Sequence, residues 1–243
     1  FIVLQSISRP QNGSKILSTT MNANTPQSPT SEANNTALVV LKFGGTSVAS
    51  AQTWKTIAKL ARKYQQQGEK PLLVCSALAG VTDLLHQIVD GQAVETALQE
   101  ILSRHQALAT EFDLSAETLL ELQWDELVRL ARQPMLVSNS SRSPQWRAQI
   151  MAQGELLSTR LGVHILAQLG VTAKWQDARM TLQADEQSGT TMRHYLNAEV
   201  SATYQQELRQ QWLQDLAQEP KASCWISQGF IASNHQGETV LLG

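Results

Sequence analysis

After a polar N-terminal stretch, short apolar runs alternate with segments in which apolar residues recur at helical spacing. Residues 38–41 and 72–75 are continuous apolar runs, typical of strands that are buried on both faces. Between them, residues 51–64 carry apolar side chains at helical spacing, and Gly68 and Pro71 stop that helix. This strand, helix and strand predict a right-handed βαβ unit.

The rest of the chain continues this alternation. A loop of small residues at 76–80 precedes a helix that begins at Val81. The later predicted elements are one or two helices across 92–132, a helix over 144–169, short strands over 171–174 and 178–182, a helix over 198–216, and strands over 224–227 and 239–242. Strands that alternate with helices predict an α/β sandwich with a mainly parallel sheet.

The N-terminal residues 1–36 have a different composition. From Gln5 to Thr36 the chain is rich in Ser, Thr, Asn, Gln and Pro, with little aliphatic content after Leu17. Such a segment cannot offset its ordering entropy by burial, so we expect a disordered tail. Because the first residue is not Met, we hypothesise that translation starts at Met21. The folded part is expected to span residues 37–243.

Composition narrows the range of partners. The 243 residues are 42% hydrophobic and 16% charged with a net charge of −2, and Lys and Arg are interspersed with Asp and Glu. This balance gives no electrostatic footprint for nucleic acid or an anionic membrane, and no apolar run is long enough to span a bilayer. We therefore expect a cytoplasmic protein whose partner is a small molecule or another subunit. Cys75 and Cys224 lie in apolar strand-like runs, which favours reduced, buried thiols over a disulfide or a zinc site.

The segment Lys42–Ser47 is the first candidate for chemistry. It reads Lys-Phe-Gly-Gly-Thr-Ser at the end of the first strand, where ligands of open α/β sheets bind. Two glycines expose backbone amides, a helix follows, and Lys42 adds a positive charge, so the segment can cradle a phosphate. An ordinary turn is the alternative, with Thr46 or Ser47 as a helix cap. The spacing is neither a Walker A loop nor a dinucleotide fingerprint.

The same segment, continued by Val48, resembles the signature of the aspartate kinases in the amino-acid kinase family. Four further segments resemble motifs of that family in the same order, with the lysine-sensitive members as the best match. They are Ser-Ala-Leu-Ala-Gly-Val-Thr-Asp at 76–83, Gly-Glu-Leu-Leu-Ser at 154–158, Trp-Gln-Asp-Ala-Arg at 175–179, and Ser-Gln-Gly-Phe-Ile-Ala at 227–232 followed by the run 237–243. Asp83 replaces the common Asn.

The resemblance implies a three-layer αβα sandwich and a kinase that uses ATP, accompanied by Mg²⁺, to phosphorylate the side-chain carboxylate of L-aspartate. The product is 4-phospho-L-aspartate, and the reaction is the first step of lysine, threonine and methionine biosynthesis. It implies that Lys42 is catalytic and contacts the transferred phosphoryl group. The segment Lys42, Phe43, Gly44 and Gly45 would bind the nucleotide phosphates. Ser76, Thr82 and Glu155 would bind aspartate, with Glu155 pairing the α-ammonium group.

Ordinary structural roles remain open for these residues. Lys42 could be a solvated surface charge, Glu155 could point outward from its helix, and Thr82 could be a helix cap. Phe230 is expected in the core or in the pocket wall. The five histidines match none of the motifs and receive no catalytic role; they are His86, His105, His164, His194 and His235.

In the family, the Leu-Gly at 242–243 continues into Arg-Gly-Gly-Ser-Asp, so we expect the nucleotide lobe and the regulatory domains beyond the chain end. The 243 residues by themselves are expected to be inactive, and the full protein is expected to be a homo-oligomer. Three alternatives remain: a kinase of this fold with a carbamate, glutamyl or nucleotide substrate, a non-catalytic amino-acid-binding module, and the kinase half of a bifunctional biosynthetic enzyme.

Overall fold

A mainly parallel sheet organises the molecule. The computed structural model describes residues 38–133, 143–186, 189–200, 218 and 223–243, together with the backbone of residues 3–7. The five strands of the main sheet are β1 (Val3–Ile7), β2 (Leu38–Phe43), β3 (Lys70–Cys75), β4 (Ala173–Trp175) and β5 (Cys224–Gln228). Their order is β1-β2-β3-β5-β4, with β1 antiparallel to β2 and the other neighbours parallel. The predicted α/β fold with a mainly parallel sheet is confirmed.

Helices lie between these strands along the chain. They are α1 (Ala51–Gln66), α2 (Val81–Asp90), α3 (Val94–Thr110), α4 (Ala116–Leu119), α5 (Glu121–Ala131), α6 (Pro144–Gln168) and α7 (Thr191–Leu196). The large apolar core joins α1 and α6 to one face of the sheet, where Leu41, Leu73 and Ile226 are fully buried. A smaller cluster of Leu38, Leu72 and Trp225 lies on the opposite face. No helix in the described ranges is long and apolar enough to cross a membrane.

A hairpin follows the main sheet. Strands β6 (Ile231–Ser233) and β7 (Thr239–Leu241) pair antiparallel as a separate two-stranded sheet. The carboxylate of Glu238 ties this hairpin to its neighbours, because it accepts hydrogen bonds from Gln145, Tyr195 and Asn234. The hairpin is therefore fixed to the start of α6 and to α7.

Several local predictions differ from the structure. Residues 3–7 form an edge strand on β2, so the predicted disordered tail is wrong for these five residues; residues 8–37 lie outside the described part. Residues 178–182 are not a strand, because Asp177 caps a 3₁₀ helix over Ala178–Met180. The segment 92–132 contains three helices, and α7 and β6 were not predicted. Most of the helix predicted over 198–216 lies outside the described residues.

The long helix α6 lies very close to the sheet. It begins at Pro144 after Ser143, whose hydroxyl accepts from the amide of Trp146. At Gly162 a Cβ atom would lie 2.4 Å from the ring of Trp54 and 2.7 Å from Ile226 Cδ1. Glycine is therefore required where α6 crosses α1 and β5.

We predict that Gly162→Ala destabilises the protein by about 1–3 kcal/mol, because the added methyl group overpacks a closed core. Urea unfolding measures the free energy of unfolding. Gly44→Ala is the matched control, because a Cβ there would meet no atom within 4 Å and its φ of −74° suits any residue. Equal stability of the two variants would contradict the close packing at Gly162.

His105 is a buried histidine in the helical part of the core. It is 1% exposed, its Nδ1 lies 2.7 Å from the carbonyl oxygen of Ile101, and its Nε2 has no hydrogen-bond partner in the described structure. Burial lowers the pKa of His105 to about 4, although the bond to Ile101 opposes the shift. The imidazole is therefore neutral at pH 7.

We predict that His105 makes the protein sensitive to acid. Its folded pKa lies below the unfolded value of 6.5, so the unfolded chain binds the proton first and stability falls as the pH drops from 6.5 through 4. Between pH 7 and pH 5 the parent should lose about 2 kcal/mol more than His105→Leu. Urea unfolding of both proteins at the two pH values measures this difference. An equal loss of stability in the parent and in His105→Leu would contradict the assignment of this pH dependence to His105.

Candidate active site

Three strands of the main sheet end side by side at one edge. Phe43 of β2 is in register with Cys75 of β3, which is in register with Gln228 of β5. Because the strands are parallel, the loops that follow them leave the sheet at the same carboxyl edge. These loops contain three of the residues predicted to bind ligand, Gly44, Gly45 and Ser76, and the edge is the place where open α/β sheets bind small molecules.

The loop after β2 forms a 3₁₀ turn over Gly45–Val48, with Gly44 as its N-cap. A Cβ at Gly45 would lie 2.8 Å from the carbonyl oxygen of Ala77, so this glycine allows the loops after β2 and β3 to touch. Gly44 has open space beside its backbone. The side chain of Phe43 is 2% exposed and belongs to the core, so only its backbone faces the edge.

The loop after β3 leads into α2. The amide of Ser76 donates to the carbonyl oxygen of Phe43 at 3.0 Å, and the carbonyl of Ser76 accepts from the hydroxyl of Ser158 at 2.7 Å. Gly80 has a φ of +78° and is the N-cap of α2, so Thr82 is not the cap that ordinary helix chemistry would make it. Thr82 is exposed on the first turn of α2.

Glu155 of α6 lies beneath this edge and does not point outward. It is 5% exposed, and its Oε2 accepts hydrogen bonds from the amides of Gly229 at 2.9 Å and Phe230 at 2.8 Å. Among the described residues, the hydrogen bonds to this carboxylate go to Oε2. The second oxygen, Oε1, therefore has the capacity to accept from a ligand.

Burial raises the pKa of Glu155 to about 7. The amides of Phe230 and Gly229 and the positive charge of Lys42 oppose that shift. Lys42 itself is exposed, and its Cε lies 3.9 Å from the position of a Cβ on Gly229. The exposed side chain of Lys42 and the buried carboxylate of Glu155 thus both lie beside Gly229.

A buried polar network supports the loop that follows β5. The side-chain amide of Gln228 donates to Thr159 Oγ1 at 2.7 Å, and its Oε1 accepts from the amide of Ala178 at 2.8 Å. Thr159 Oγ1 also accepts from the indole of Trp175 at 3.0 Å and donates to the carbonyl of Glu155 at 2.7 Å. The network fixes α6 relative to β4 and β5.

Sequence reasoning did not assign Gln228 or Thr159 any role. The signal was present, since a glutamine at the end of a continuous apolar strand must find hydrogen-bond partners when it is buried. It did not identify those partners, because Thr159 and Ala178 are 69 and 50 residues away in sequence.

The structure brings the predicted residues of three loops and α6 to one edge. Gly45 contacts the loop after β3, and Lys42 and Glu155 both lie beside Gly229. Thr82 follows Val81, which lies 3.5 Å from the position of a Cβ on Gly154. Phe230 is 42% exposed, so its ring is not part of the core.

This arrangement can bind a molecule that has an anionic end and a cationic end. Lys42 and the open backbone at Gly44 suit an anion, and Glu155 suits an ammonium group. Groups of three or more metal-ligating side chains are absent from the described part of the chain.

Comparisons with known proteins show which proteins the chain resembles. The chain is 29% identical to lysine-sensitive aspartokinase 3 of Escherichia coli (strain K12) over 85% of its length, and 31% identical to the aspartokinase of Chlamydia trachomatis over 86%. It spans only 43% of each of these proteins. The crystal structure of E. coli aspartokinase III in complex with aspartate and ADP matches with a TM-score of 0.63 and 28% identity, covering 83% of this chain and 42% of that one.

The sequence profile of a whole family gives the same result. Residues 37–242 match the amino acid kinase family, and this range begins one residue before β2 and contains every loop of the candidate site. The resemblance first seen in five short motifs thus extends over the folded part of the chain. The chain belongs to the amino acid kinase family.

Proposed function

We propose that this chain is the amino-acid-binding part of an aspartate kinase, which transfers the γ-phosphoryl group of ATP to the side-chain carboxylate of L-aspartate. One observation carries the proposal: the buried carboxylate of Glu155 and the exposed side chain of Lys42 both lie beside Gly229, at the carboxyl edge of the sheet. An amino-acid substrate and a phosphate need these two opposite charges at one site.

In this proposal Glu155 binds the α-ammonium group of aspartate. Its Oε2 is held by the amides of Gly229 and Phe230, so the carboxylate is fixed before the substrate arrives. A cation next to a buried carboxylate favours the charged form, so substrate binding should lower the pKa of Glu155. Thr82 and Ser76 would complete the substrate site from the neighbouring loop.

Lys42 would stabilise the charge on the phosphoryl group as it moves to the aspartate carboxylate. In that step a P–O bond to the carboxylate forms, the bond to the ADP oxygen breaks, and catalysis depends on positioning and charge. The backbone at Gly44 and Gly45 would hold phosphate oxygens. Mg²⁺ would accompany ATP and supply further positive charge, and phosphate oxygens would be among its ligands.

The choice of aspartate is supported by the relatives. The aspartokinases that the chain resembles over more than four-fifths of its length include one whose structure holds aspartate and ADP. Because the chain spans less than half of those proteins, the activity, the nucleotide and a homo-oligomeric state of the whole protein are part of the proposal. A cytoplasmic location is also proposed, supported by the buried free thiols of Cys75 and Cys224.

We expect the protein encoded by the complete gene to form aspartyl hydroxamate from L-aspartate, ATP and hydroxylamine. Lys42→Ala should lower kcat by about 10²–10³-fold, because it removes a charge needed in the transition state. Lys55→Ala is the matched control, since Lys55 is exposed on α1 outside the site. A preference for another acceptor, or equal rates for the two variants, would refute the proposal.

Glu155→Gln tests the substrate site separately. We expect it to raise KM for aspartate at least about tenfold, because a neutral amide replaces the charge that pairs the ammonium group. In the parent, KM should rise as the pH falls below about 7, since Glu155 then becomes protonated. A KM for aspartate that is independent of pH in this range would contradict the role of Glu155.

The same substitution should stabilise the fold at alkaline pH. The folded pKa of Glu155 is raised from 4.5 to about 7, so its contribution to stability is present below pH 4.5 and is lost as the pH rises through 7. Glutamine keeps an oxygen for the two amides without the buried charge. Between pH 5 and pH 8, Glu155→Gln should gain about 2 kcal/mol relative to the parent in urea unfolding. Glu121→Gln on the exposed start of α5 should gain none.

A further inference from the structure

A second recess lies on the other side of α6 from Glu155. It has a volume of about 200 Å³ and lies between α5, α6, the 3₁₀ turn after β4 and the start of β7. Its lining is polar except for one leucine: Gln123, Glu126, Gln149, Gln153, Leu156, Arg179 and Thr239. In volume it equals roughly seven water molecules, so it suits a small solute and not a nucleotide.

Gln153 gives this recess an unmet hydrogen bond. Its side chain is 3% exposed, and its Oε1 is buried without a hydrogen-bond partner in the described structure. A buried amide oxygen without a partner costs about 1–3 kcal/mol, so native proteins rarely leave one unpaired. Gln153 lines the recess, so an occupant that donated a hydrogen bond to this oxygen would satisfy it.

Arg179 provides hydrogen-bond donors in the lining of the recess. Its guanidinium binds Asp177 through Nε at 2.9 Å and Nη2 at 2.7 Å, and Thr239 Oγ1 through Nη1 at 3.1 Å. These bonds use three of its five N–H groups and hold the guanidinium in place. The other two N–H groups can donate hydrogen bonds to a carboxylate.

Glu126 adds a negative charge to the same recess. Both of its oxygens accept from Arg129 at 2.7 Å, and each keeps a second lone pair. The lining therefore combines a carboxylate and an unpaired amide oxygen, which attract a cationic donor, with a guanidinium, which attracts an anion. A molecule with only one charge would satisfy half of these groups.

We propose that this recess binds a small zwitterionic amino acid, with its ammonium group toward Gln153 and Glu126 and its carboxylate toward Arg179. The site is distinct from the one that contains Glu155, because the lining residues of α6 and Glu155 project from different sides of the helix. The proposal does not depend on the kinase activity.

Heteronuclear NMR of the ¹⁵N-labelled 243-residue chain tests this proposal. Glycine, L-alanine and L-serine serve as probes, while propionate and ethylamine each keep only one of the two charges of alanine. We expect saturable shifts of the side-chain amide of Gln153 and the backbone amide of Thr239 with at least one of the amino acids. Propionate and ethylamine should bind at least about tenfold more weakly.

Two variants and a control locate the binding. Gln153→Leu removes the acceptor and should weaken binding at least about tenfold, and Glu126→Gln should weaken it at least about threefold. Asp125→Asn makes the same charge change one residue away, outside the recess, and should leave affinity unchanged. If Gln153→Leu does not fold, the test is the affinity of Glu126→Gln, on the surface of α5, compared with that of Asp125→Asn.

Several results would overturn the proposal. The absence of saturable shifts with all three amino acids would mean that the recess holds only water. Equal binding of propionate or ethylamine would show that a single charge suffices. Shifts centred on Gly229 and Phe230 would place the amino acid at the Glu155 site, which would leave the proposed function intact and refute the second site.

Discussion

The buried carboxylate of Glu155 is the contact on which the geometry of the site depends. It links the middle of α6 to the backbone that follows β5 through two amide hydrogen bonds. Without those amides, a carboxylate at 5% exposure would have no compensation for lost hydration. With them the group remains ionisable near neutral pH, so it can respond to a cation in the site.

The rest of the fold keeps α6 where this contact requires it. Gly154 and Gly162 allow the helix to approach Ala77 and Trp54 at distances that a Cβ would forbid. The network of Gln228, Thr159 and Trp175 fixes the next turn. These contacts stabilise the fold, whereas the charge of Glu155 costs stability above pH 7. The protein therefore carries, at its site, a group that the fold by itself would not favour.

The sequence predicted the main elements because their patterns are local. Apolar runs marked β2, β3 and β5, and helical spacing with Pro144 and Gly170 marked α6 almost to the residue. One failure also has a local cause. Ala178–Met180 was read as a strand, but the side chain of Asp177 accepts from the amide of Arg179 and turns the backbone. The edge strand at residues 3–7 is different, because it forms by pairing with β2, which lies more than thirty residues away in sequence.

By itself the sequence determined the family, the order of the elements and the residue types of the site, since each of these is written in short contiguous patterns. Only the tertiary structure decided that Glu155 faces inward, that Thr82 is not a helix cap, and that Gln153, Arg179 and Thr239 share a recess. The physical reason is that burial and hydrogen-bond partners depend on contacts between distant segments. Spacing along the chain specifies a helix face, but it does not specify what covers that face.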